Sequence, residues 1–244
     1  MSNGLYLYGI VPVPEPLDLT LQGLDQQPVQ MQRVDNFVFL YSAAQQTRYL
    51  ASRRNLLGHE RVLEQAMEAG FEPILPLQFG LTIDTWDTVR EQLLDSKSDR
   101  LVQLFDKLSG RREVSIKLFW EPQAELEMLL SEDEKLRCDR DALKGKTLSM
   151  DETIRIGQAI ERALKIRQQQ IIQAFQEKLN SIAVEVVEND LLSETMIYNC
   201  AYLIPGEAEP QFSEMVEQLD EQFDRRLRIR YNNFTAPFNF AQLN

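Results

Sequence analysis

The chain has one histidine, two cysteines and 38 acidic side chains in 244 residues, so any chemistry must be assembled from a short list. A nucleophilic site needs His59 beside a hydroxyl or thiol that solvent can reach. Ser52 precedes it by seven residues, two helical turns away and out of hydrogen-bond reach. Val62, Leu63 and Ala66 follow His59 at helical spacing, so the imidazole falls on an apolar stripe. That placement predicts a buried histidine bonded to a backbone or carboxyl group rather than a working base. Cys138 and Cys200 match no CxxC or zinc spacing, and a His/Cys zinc site would need both, His59 and a fourth ligand. Arg226, Arg228 and Arg230 share one strand face and could grip a phosphate. Glu185, Glu207 and Glu209 lie in segments able to neutralise them, and internal ion pairs are the expectation. P-loop, dinucleotide, HExxH and GxSxG motifs are absent from the sequence. Acid/base pairs cannot be singled out among so many carboxylates. The reading is therefore no catalytic residue, no cofactor and no metal.

The element carrying His59 predicts the local order. Gly70 closes its helix as a C′ glycine would. Pro73 and Pro76 flank Ile74 and Leu75, and Leu77, Phe79 and Leu81 alternate with Gln78 and Gly80, which reads as an edge strand. Asp84 is placed to cap a following helix with Trp86, Val89 and Leu93 as its stripe. Upstream, the apolar run Leu5 to Val11 predicts a strand covered on both faces. Val29 and Met31 alternate with glutamines, and Asp35-Asn36 predicts a turn into a second strand, Phe37 to Ala43. After Ser96–Asp99 the stripe resumes at Leu101, Leu104, Phe105 and Leu108, as in a bent helix or two consecutive ones. These elements make an α+β unit over residues 1–110.

From Arg111 the period changes. Val114, Ile116, Leu118 and Trp120 share a strand face. A helix from about Pro122 to Leu130 follows. The charged run SEDEKLRCDRDALKGK predicts an irregular segment. Ser149 and Glu152 form a capping-box signature for a long helix with Ile156, Ile160, Ala163, Leu164, Ile171 and Phe175 on its buried side. Ile154, Ile166 and Ile172 lie off that side and suggest a second apolar contact. Strands at Val184–Val186 and Met196–Ile204, a helix striped by Phe212, Met215, Val216, Leu219 and Phe223, and a strand through Leu227, Ile229 and Tyr231 complete the order. That order, β, α, β, β, α, β, predicts a ferredoxin-like domain over 111–233. The aromatic tail 234–244 is expected to pack back on the protein rather than stand free.

The histidine helix, the PILPLQFGLTID run, LYLYGIV near the start, VSIKLFW and the ending NNFTAPFNFAQL together resemble the GvpF/GvpL family of gas vesicle proteins, and are similar to its cyanobacterial members in order and spacing. The resemblance covers the whole chain. It implies a non-enzymatic, minor structural or assembly component that contacts the major shell protein, and further gas vesicle accessory proteins, as a gas-filled buoyancy shell forms. A net charge of −12 argues against nucleic acid as a partner. No apolar run approaches the roughly 20 residues that span a bilayer, and no secretory signal is read at the start, so a cytoplasmic, vesicle-associated protein with no membrane partner is expected. A small-molecule binder or enzyme on a ferredoxin-like scaffold is the alternative, since such sheets host many activities.

Overall fold

The computed structural model describes residues 4–13, 19–142, 149–224 and 226–242. The end of the charged run beyond Ala142 and Leu243 of the tail lie outside them. The fold is α+β, with two sheets among the described residues. By packing, the chain divides into one unit of residues 1–114, 203–207 and 232–244 and a second of 115–202 and 208–231.

In the first unit, β1 (Leu5–Pro12) is buried along its whole interior, as a continuous apolar run requires. It pairs antiparallel with β3 (Phe37–Ala43), which pairs with β2 (Gln30–Val34) across the Asp35-Asn36 turn, where Asp35 has φ +54°. Gly9 lets β1 approach its covering helix, because a Cβ there would lie 2.7 Å from Leu63 Cδ2. That helix, α1 (Arg53–Glu68), is capped by Ser52, whose side chain accepts from Asn55 N–H. It ends in a Schellman pair, Phe71 N–H to Ala66 O and Gly70 N–H to Met67 O, with Gly70 at φ +92°. Val62, Leu63 and Ala66 of α1 join Tyr6, Tyr8, Val38 and Leu40 in one core.

The expected strand through residues 74–81 is corrected by the structure. Of this run only β4 (Leu75–Pro76) and β5 (Thr82–Ile83) form strands paired with β1, and the residues between them form a turn. The reason is Gly80, whose φ of +87° lies outside strand backbone. The next helix is capped at Thr85 rather than Asp84, and the Thr85 hydroxyl meets that of Thr88 instead of a backbone N–H. It runs from α2 (Trp86–Val89) through a π-turn (Arg90–Leu94) into α3 (Asp95–Leu108), which covers the other face of the sheet through Trp86 on Phe39 and Phe105 on Phe37.

The second sheet has the order β7-β8-β6-β9, built from β6 (Arg111–Phe119), β7 (Glu185–Glu188), β8 (Met196–Pro205) and β9 (Arg228–Thr235). The helices between its strands are α4 (Pro122–Glu132), α5 (Glu134–Ala142), α6 (Met150–Leu179) and α7 (Glu209–Gln222). Glu134–Ala142 was expected to be irregular, yet it is helical: Asp133 accepts from Leu136 N–H at its start, and Leu136 is buried. The capping box at α6 is present, with Glu152 bonded back to Ser149. Of its expected stripe, Ile156, Ile171 and Phe175 are buried, while Ile160, Ala163 and Leu164 are half-buried. Ile154 and Ile166 are exposed. Phe175 stacks on Phe223 at 6.0 Å, tying α6 to the end of α7.

Candidate functional site

His59 is 2% exposed and sits against the tyrosines of β1. Its Nε2 lies 3.1 Å from the Leu77 carbonyl oxygen, which can only accept, so Nε2 carries the proton. Nδ1 is then the acceptor for the Tyr6 hydroxyl at 3.0 Å. The Tyr6 oxygen accepts from Gly80 N–H, also at 3.0 Å. The chain of bonds has one direction: Gly80 to Tyr6, Tyr6 to His59, His59 to Leu77. Burial pulls the imidazole pKa from 6.5 down to about 4, only partly offset by the Leu77 bond, so the ring is neutral at neutral pH. Burial also pushes the Tyr6 hydroxyl well above the usual phenol range. Neither group is poised to exchange protons near neutrality, and the network acts as a staple.

What it staples is the turn. Leu77 N–H bonds Tyr8 O and Leu7 N–H bonds Leu81 O, so both ends remain in register with β1. Between them Leu81 N–H closes onto Gln78 O at 3.3 Å, and Gly80 occupies the position where a type II turn requires positive φ. Phe79, displaced from a strand by this turn, packs its ring 5.9 Å from His59 and 6.2 Å from Tyr6.

The segment after β9 closes the neighbourhood. Asn239 donates from its backbone N–H and its Nδ2 to the two oxygens of Glu113, at 2.9 and 2.6 Å. Glu113 is 3% exposed, and burial lifts its pKa from 4.5 to about 7 against those two bonds. Lys107 Nζ donates to Phe240 O, and Ala236, Phe240 and Ala241 are buried, while Phe238 lies 6.5 Å from the His59 ring and remains 38% exposed.

An open groove of about 660 Å³ runs between the stapled turn, the π-turn of the helix and this tail. Leu77, Leu81, Ile83, Val89, Leu93 and Phe238 give it an apolar floor and walls, and Gln78, Gln92 and Gln242 supply amides. None of its described lining residues carries a charge.

The other residues singled out from sequence lie elsewhere. Cys200 is buried and Cys138 exposed. Among the described residues, no group of three His, Cys, Asp or Glu is arranged for a metal ion, and no helix is long and apolar enough to cross a membrane. Arg226 finds Glu125, a partner that sequence spacing did not suggest, in place of the glutamates expected for it. Glu125, 2% exposed, also receives Arg167 Nε at 2.7 Å. Arg228 and Arg230 lie over the Phe119 ring, at 4.3 and 5.1 Å. Sequence reasoning missed Tyr6, Gly80, Glu113 and Asn239; the available signal was a pair of tyrosines at alternate positions in a strand otherwise free of polar groups.

The family pattern described as gas vesicle synthesis protein GvpL/GvpF matches residues 4–242. The chain is 56% identical to gas vesicle protein F of a Nostoc species and 57% identical to gas vesicle protein F of Microcystis aeruginosa, in each case over the full length of both chains. Among solved structures it is similar to the crystal structure of the gas vesicle protein GvpF from Anabaena, with a TM-score of 0.86 at 53% identity, covering 99% of this chain and 97% of that one. It is also similar to that of GvpF from Microcystis aeruginosa, with a TM-score of 0.84 at 57% identity, covering 99% and 100%.

Proposed function

The chain belongs to the GvpL/GvpF family of gas vesicle synthesis proteins, and on that premise we propose that it is a non-enzymatic, minor component of the vesicle that binds the major shell protein directly while the gas-filled shell is formed. The observation that carries this reading is the match of the family pattern from residue 4 to residue 242. The neutral, fully bonded state of His59 and Tyr6 supports the non-enzymatic part, because the one imidazole of the chain has both nitrogens committed inside the core. The protein works in the cytoplasm, where it contributes to buoyancy through the shell it helps to build.

A pull-down of the purified protein against the shell subunit, free and assembled, is the test. Retention of the subunit is expected; absence of binding in both forms overturns the reading. Immunolocalisation on intact and opened vesicles then shows which side of the shell the protein occupies.

A further inference from the structure

The groove beside the stapled turn has no assigned occupant. We propose that it seats a short, uncharged, apolar segment of the shell subunit, extended and paired with the outer edge of β5 at Thr82; the shell as source of the segment rests on the function proposed above.

Charge decides the chemistry of the occupant. Charged side chains make up 26% of the sequence and the net charge is −12, yet the described lining of this groove has none. A charged segment would enter without a counter-ion and lose its hydration, whereas a neutral apolar one exchanges water for Leu81, Ile83, Leu93 and Phe238. The same charge argues against a second copy of this chain, because two bodies of −12 repel.

Backbone decides the form. Thr82 lies opposite Tyr6, one residue on from the bond between Leu7 N–H and Leu81 O. Antiparallel alternation therefore turns the N–H and C=O of Thr82 away from β1, as an open edge. An extended segment can pair with that edge by strand addition, while a helix, with its own groups already bonded, cannot. The turn at residues 78–81 ends the edge on one side. Across the groove, Gln92 and Leu93 belong to the π-turn, a departure from regular helix of the kind that recurs at functional sites. Residues 78–81 turn aside, so from Leu77 to Ile83 the chain passes only the four β1 positions Tyr8 to Leu5, and the pairing part of an occupant is about four residues at roughly 3.3 Å each.

The test titrates the full-length protein onto vesicle shells washed free of accessory proteins, with Leu81→Glu, Gln92→Lys and, as a control on α6, Ile166→Glu. Gln92 is exposed and its replacement disturbs no packing, so a loss of binding there is not a folding defect. Each groove variant is expected to bind at least tenfold more weakly, the control within twofold of wild type, and the Thr82 amide to gain hydrogen-exchange protection in the wild-type complex. If wild type binds and both groove variants bind equally well, the groove is not the site, and the function proposed above stands. If wild type binds neither free subunit nor shell, that function fails and the shell as occupant fails with it. A wild-type dimer that Leu81→Glu converts to monomer assigns the groove to a second copy and overturns the proposal.

Discussion

Two buried titratable residues of the same unit oppose each other. His59 has its folded pKa lowered from 6.5 to about 4, so the unfolded chain binds the extra proton between these values, and its contribution is complete above 6.5 and lost as pH falls toward 4. Glu113 has its folded pKa raised from 4.5 to about 7, so the folded chain binds the extra proton, and its contribution is complete below 4.5 and lost as pH rises through 7. Each slope is about 1.4 kcal/mol per pH unit, and in the overlapping window they offset. Glu113→Gln keeps the shape and lets the Asn239 amide turn to receive it. The stability of that variant relative to wild type is therefore expected to rise by about 1.4 kcal/mol per unit between pH 4.5 and 7, read from urea midpoints across the window. Glu72, Arg111 and Arg112 share the cleft around Glu113 and are unchanged in the variant. His59→Ala leaves the Tyr6 hydroxyl without its acceptor and the Leu77 carbonyl without its donor. A loss of roughly 2–4 kcal/mol in chemical denaturation is expected. The burial of His59 was legible because helical period fixes which face a residue takes. Its partner was not, because Tyr6 lies 53 residues away and nothing local links them.

The elements that were read correctly have a single period and clear punctuation. β1, the β2–β3 hairpin and α1 with its Gly70 end are of this kind, as is α6 behind its capping box. The run after Pro76 misled because a turn of four residues can preserve apolar alternation on both sides of itself. Glycine at residue 80 was the only trace, and in a strand it reads equally as a weak point. Its role is measurable: Gly80→Ala must force a Cβ into φ +87°, although the space around it is empty. A destabilisation above about 1 kcal/mol is expected in urea denaturation, and a neutral result would mean the turn relaxes without its staple. The helix over Glu134–Ala142 was illegible for a different reason. Nine residues rich in both signs of charge have no stripe, and the helix depends on its Asp133 cap and on one buried leucine.

At the scale of the molecule, an acidic protein with an uncharged groove should meet its partner through apolar contact. Affinity for washed shells is accordingly expected to change less than about twofold when salt is raised from low to well above physiological ionic strength, because screening acts on charges that the contact does not use. A steep loss in the same titration would place binding on the charged surface instead. The assignment of residues to units has one more consequence, which concerns time. The unit that holds β1 and the groove draws its first part from residues 1–114 and its last from 232–244, and Glu113 is completed by Asn239. A ribosome adding roughly 5–20 residues per second needs on the order of ten seconds to make the intervening chain. Through that interval β1 and its apolar neighbours exist without the tail that walls their groove, so the groove is complete only when synthesis reaches the tail.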